Sequence, residues 1–133
     1  MKVQPYLVFN GNCEEALSFY SSLFDASLQN KQTYQDANYD IPESYRNNLQ
    51  HAELKGNGVH IMAYDASPDT PLNSGNNIQM SIDLDDKDKA EKLFNQLSDG
   101  GTVHHKFRER EWGAYFGRCT DNYDIQWMIN CSK

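Results

Sequence analysis

The stretch Asn77-Ile78-Gln79-Met80-Ser81-Ile82-Asp83-Leu84 decides the fold, because it starts again, in sharper form, a pattern already present near the beginning of the chain. Ile78, Met80, Ile82 and Leu84 alternate with Asn77, Gln79, Ser81 and Asp83, the period of a strand with one buried face. Asp85-Asp86 then open a helix, Ala90, Leu93, Phe94 and Leu97 recur along one helical face, and Gly100-Gly101 end it. Ala16, Phe19, Tyr20 and Leu23 have the same spacing. They follow a short strand at 3–9, with Val3, Leu7 and Phe9 on one face and Gln4, Tyr6 and Val8 on the other. Pro5 cannot donate to a ladder, so this strand lies at an edge or beside a break in pairing. Asn12, with Glu15 three residues on, reads as a capping box.

Further strands follow each helix. In the first half they fall around 26–34, at 49–55 and at 59–64, the last two joined by a hairpin turn at Gly56-Asn57-Gly58. The polar stretch 35–48 is a loop, and with Tyr34, Tyr39 and Tyr45 it reads either as a lid or as ordinary surface packing. In the second half a hairpin joins strands at 114–120 and 125–130 through Asp121-Asn122. Ile125, Trp127 and Ile129 suit a core, while Gln126, Met128 and Asn130 suit a polar cavity. The chain is thus a βαβββ unit used twice, an α+β fold in which a cup-shaped mixed sheet carries its helices on the outer face. One domain spans 1–133, with module one at 1–65, a linker at 66–76 and module two at 77–133.

Composition narrows the partners. With 19 acids against 12 bases the net charge is −7, which repels nucleic acid and anionic membrane surfaces and favours a small-molecule or protein partner. No apolar run reaches the length of a membrane span, and Met1-Lys2-Val3-Gln4-Pro5 leads straight into a strand without a signal-peptide pattern, so a cytoplasmic location is expected. Cys13, Cys119 and Cys131 are scattered, odd in number and without a CxxC pair, and read as reduced thiols.

Phe-Asn-Gly-Asn-Cys-Glu-Glu-Ala-Leu-Ser-Phe-Tyr at 9–20 and Phe-Gly-Arg-Cys-Thr-Asp-Asn-Tyr-Asp-Ile-Gln-Trp-Met-Ile-Asn at 116–130 resemble the PhnB-like branch of the vicinal oxygen chelate superfamily, which includes glyoxalase I, bleomycin- and fosfomycin-resistance proteins and extradiol dioxygenases. The resemblance implies two βαβββ modules and a homodimer. The branch often carries a demethylubiquinone methyltransferase label, but Gly56-Asn57-Gly58 is a hairpin turn, not a nucleotide-cofactor loop, so methyl transfer is not expected. Superfamily enzymes hold a divalent metal at four inward positions. Carried over by strand, these fall near Gln4, between Ile61 and Asp65, at Asn77 or Gln79, and at Gln126. An amide at Gln126, where an acid is expected, removes charge that the metal needs, so the site reads as degenerate and no metal cofactor is expected.

His51 and Glu53 alternate onto one strand face, where an imidazole and a carboxylate suit a general base and its orienting partner, or simply two solvated groups. His60 receives no role. The basic run His104-His105-Lys106-Phe107-Arg108-Glu109-Arg110 reads as a solvated strand edge or as cations holding an anionic ligand, and strand alternation separates its two histidines. Trp112 and Tyr115 are candidate pocket walls. The expected function is metal-independent binding of a small polar or aromatic ligand in a cup lined by Gln4, Tyr6, His51, Gln79, Trp112, Tyr115 and Gln126. The alternative is a metal-dependent lyase or isomerase of glyoxalase type, using Gln4 and Glu53.

Overall fold

Pro5 sets the start of the first strand. In the computed structural model, which describes residues 1–36 and 40–132, β1 (Tyr6–Phe9) begins at the next residue. Pro5 itself contributes only its carbonyl, which accepts from the Met62 N–H at 3.2 Å. Val3 therefore lies outside the strand and is 92% exposed rather than part of a core face.

Helix α1 (Cys13–Phe24) follows, with Cys13, Ala16, Leu17 and Tyr20 buried. Its expected capping box does not form, since Asn12 makes no side-chain cap. Asp65, at the far end of module one, supplies the cap instead: its Oδ1 accepts from the N–H groups of Gly11 and Cys13, each at 2.9 Å. Its Oδ2 accepts from the Leu49 N–H at 2.8 Å, and its main-chain carbonyl accepts from the Tyr34 hydroxyl at 2.6 Å. Tyr34 is consequently buried and not part of a lid, Tyr45 closes a 3₁₀ turn over Glu43–Tyr45, and Tyr39 lies outside the described residues.

β2 (Ser27–Thr33), β3 (Leu49–Gly56) and β4 (Val59–Asp65) complete the first sheet in the order β1-β4-β3-β2. β1 runs parallel to β4 and the other pairs are antiparallel. The Gly56-Asn57-Gly58 turn sets Gly56 opposite Val59, which fixes Glu53 opposite Met62 and Leu54 opposite Ile61. Helix α1 packs on β2, β3 and β4, where Leu54, Ile61 and Ala63 are buried beneath it.

The second half repeats this plan with β5 (Met80–Leu84), α2 (Lys87–Ser98), β6 (Thr102–Glu109), β7 (Tyr115–Thr120) and β8 (Gln126–Cys131), ordered β5-β8-β7-β6. Here Asp86 caps its own helix, accepting from the Lys89 N–H, and Ala90, Leu93, Phe94 and Leu97 are buried as their spacing predicts. The alternation starting at Asn77 extends further in sequence than in structure, since β5 begins at Met80 and Ile78 is 79% exposed. Contacts divide the chain between Asn73 and Ser74.

All three cysteines are free and buried. Burial raises each thiol pKa, that of Cys119 to about 11, so none is a reactive thiolate at neutral pH. No helix among the described residues is long and apolar enough to cross a membrane.

Candidate functional site

The face of the first sheet away from α1 gathers a polar and aromatic cluster. Register places Tyr6 beside Met62 and Glu53 opposite Met62, so Tyr6, His51, Glu53, His60, Met62 and Tyr64 share this open face by strand alternation. Glu53 sits at its centre. His60 Nε2 lies 3.4 Å from Glu53 Oε1, and Gln4 Nε2 lies 2.5 Å from His60 Nδ1, so the imidazole bridges the amide and the carboxylate. The other carboxylate oxygen accepts from Asn30, a residue with φ of 55° at an irregularity in β2. The bonds from Asn30 and His60 hold the Glu53 carboxyl below its ordinary pKa, which leaves a stable anion and a weak base.

The expected pairing of His51 with Glu53 is therefore replaced. Glu53 orients His60, a residue that sequence reading left without a role, while His51 Nδ1 bonds the Tyr6 hydroxyl. The signal for His60 lay in the hairpin: with Lys55 opposite His60, Glu53 is its diagonal neighbour on the same face. Tyr6 also meets Tyr64 edge-on, with ring centroids 5.4 Å apart, and lies 5.6 Å from the His51 ring. Burial, then the neighbouring Tyr64, raises the Tyr6 pKa and keeps the phenol a hydrogen-bond donor.

The second sheet has an open face of its own. A Cβ on Gly117 would lie 2.7 Å from Phe94 of α2, which marks Tyr115, Gly117 and Cys119 as helix-facing. Tyr115 accordingly stacks on Phe107 at 5.9 Å beneath the Lys87 ammonium and does not line the open face, contrary to the sequence expectation. Phe116, Arg118 and Thr120 occupy that face with Gln126, Met128 and Asn130 of β8. Trp112 is 67% exposed and meets Phe116 edge-on at 6.1 Å. Gln79 immediately precedes β5, and its buried Oε1 has no partner among the described residues. Trp127 belongs to the core side, donating from Nε1 to buried Asp121 at 2.7 Å.

These residues do not suit a divalent metal. Gln4 is committed to His60, and the Gln126 carbonyl oxygen faces the Arg118 guanidinium at 3.5 Å, a cation where the superfamily's metal position requires an anion. Between Ile61 and Asp65, register turns Met62 and Tyr64 to the open face, whereas Asp65 is on the helix side capping α1. Among the described residues no three His, Cys, Asp or Glu side chains are grouped as metal ligands.

A sequence model of the 3-demethylubiquinone-9 3-methyltransferase family matches residues 1–130. The chain belongs to this family. Protein PA1353 from Pseudomonas aeruginosa is 34% identical, with a TM-score of 0.89 and coverage of 99% of this chain and 98% of that one. The PhnB protein from Bacillus cereus shares the fold at a TM-score of 0.85 and 22% identity, covering 99% and 100% of the two chains. A glyoxalase/bleomycin resistance protein/dioxygenase family enzyme from Burkholderia phytofirmans reaches a TM-score of 0.64 at 15% identity over 96% and 95%. The chain thus shares its fold with the PhnB protein and with the glyoxalase/bleomycin resistance protein/dioxygenase family enzyme. A methyl-donor nucleotide, which the family's name implies, does not fit its strand-to-helix turns: Asp65 fills the amide cradle at the start of α1, and Asp86 caps α2.

Proposed function

We propose that this PhnB-like protein binds a small aromatic ligand bearing hydrogen-bond donors on the open face of its first sheet, without a metal ion and without methyl transfer. The observation that carries this reading is the ionised Glu53, braced by Asn30 and His60 beside the Tyr6–Tyr64 pair. The carboxylate accepts a ligand hydroxyl or ammonium, and the tyrosine rings pack against the ligand ring. Because Glu53 is held as a weak base, this face suits recognition better than proton abstraction.

NMR titration with phenol and tyramine tests the reading. Saturable shifts are expected at Tyr6, Glu53 and His60, and Tyr6→Ala should weaken binding about threefold to tenfold, the scale of an aromatic contact. Absence of saturation on this face at millimolar probe would refute the reading. Stoichiometric uptake of nickel or zinc would replace it with the glyoxalase-type lyase or isomerase.

The proposal includes a homodimer. Exposed Val3 and Ile78, at 92% and 79%, lie next to the edge strands β1 and β5, and pairing hides such surface. Light scattering should give twice the chain mass, and a monomer at every concentration contradicts the expectation.

A further inference from the structure

We propose that the open face of the second sheet carries a site for a small oxyanion, a carboxylate or phosphate group, centred on Arg118. None of the residues of the first-sheet cluster takes part, so this site stands or falls independently of the ligand proposed there.

Arg118 lies on β7, flanked by β8 and β6. Its Nε is buried without a hydrogen-bond partner, and no carboxylate among the described residues forms an ion pair with it. One long contact remains, from Nη2 to Gln126 Oε1 at 3.5 Å. A planar guanidinium presents five donors in a fixed fork, and burying such a donor without an acceptor is unfavourable unless a ligand supplies one. The chain has 19 acids and only 12 bases, yet this cation stays unpaired.

The surroundings also suit an anion. Thr120 and Arg118 share a face by alternation, and Gln126 stands directly opposite Thr120. A bulge in β6 sets both His104 and His105 against Arg118 on β7, so the expected separation of the two histidines onto opposite faces does not hold here. His104 Nε2 lies 2.7 Å from the Thr120 hydroxyl, and the His105 ring is 6.3 Å from that of Phe116. The one acid on this face from the neighbouring strands is Asp83 on edge strand β5, set apart from β7 by β8. Arg110 lies over Phe116 at 5.7 Å, and its Nη2 is spent on the carbonyls of Lys106 and Phe116, so it adds positive potential while Arg118 supplies the free donors. Phe116, with Trp112 edge-on at 6.1 Å, offers an apolar surface for the body of a small organic acid or phosphate ester.

The test is an NMR titration of the intact protein at constant ionic strength, following the Arg118 Nε–H and the β7 amides, with inorganic phosphate in one arm and benzoate in the other. Saturable movement of the Arg118 signal in either arm is expected, and the arm that saturates names the anion class. Arg118→Gln should weaken binding roughly tenfold to a hundredfold, as loss of a charge-assisted contact does. Gln126→Glu should do the same by a different route, because it delivers a carboxylate to the guanidinium from within the fold; this variant decides the matter if Arg118→Gln misfolds. Lys92→Gln, on the exposed surface of α2, should bind as the wild type does. The proposal is overturned if neither anion saturates the signal, if Gln126→Glu retains full affinity, or if Lys92→Gln loses as much as Gln126→Glu.

Discussion

Asp65→Ala should destabilise the protein by about 4 kcal/mol, well beyond the roughly 1 kcal/mol of an ordinary substitution. Asp65 is 1% exposed, and its two carboxylate oxygens accept from the N–H groups of Gly11, Cys13 and Leu49 at 2.8–2.9 Å. Alanine strands the buried Cys13 and Leu49 donors, at about 1–3 kcal/mol each, leaves the more exposed Gly11 N–H to water, and removes an anion from the positive end of α1. Relief of the carboxylate's own desolvation offsets part of that sum, which is why the net lies near the middle of the range. For a domain of this size the shift in Tm should be roughly 12–20 °C. Asp65→Asn is expected to lose about half as much: its carbonyl oxygen can still serve the start of α1, but its amide group then meets the Leu49 N–H donor to donor. Urea denaturation of the two variants checks the order. A loss below about 1 kcal/mol for alanine would show that this carboxylate does not tie the module together.

Gly101→Ala is the second large effect, expected at about 3 kcal/mol, the upper end for overpacking. A Cβ there would stand 2.0 Å from the Thr120 carbonyl oxygen and 2.9 Å from the Asp121 carbonyl carbon. Both are backbone atoms, so no rotamer change relieves the clash. Nor is that backbone free to yield, because Thr102 opposite Thr120 opens the β6–β7 pairing and buried Asp121 is held by Tyr123, Ile125 and Trp127. Gly100→Ala provides the comparison. Its φ of +79° strains any side chain, but its new neighbour is the Asn122 side chain at 3.2 Å, which can move, so a loss of about 1 kcal/mol is expected. Thermal unfolding should rank Gly101→Ala clearly below Gly100→Ala, and the reverse order would mean that conformational strain, not the close approach, governs this turn.

The elements and their duplication were legible because alternation and helical spacing are properties of neighbouring residues. Ala90, Leu93, Phe94 and Leu97 could bury one face of α2 in only one way, and Gly56-Asn57-Gly58 set the β3–β4 register that brings Glu53 and His60 onto one diagonal. Tyr6, His51 and Glu53 share one face for the same reason. Residues whose roles depend on distant partners were not legible. Asp65 caps a helix 52 residues earlier in the chain and displaces Asn12 from a role that local sequence assigns to it. Bulges in β2 and β6 redirect Asn30 and His105, because one extra residue reverses the alternation on which any reading of strand faces rests. Tyr115 turned toward α2 and Arg118 away from it only once Gly117 met Phe94. Sequence by itself determined which segments are strands and helices, since that is written in steps of two to four residues. Tertiary structure alone decided which face, cap and charge partner each side chain received, since those depend on register and on contacts between segments far apart in the chain.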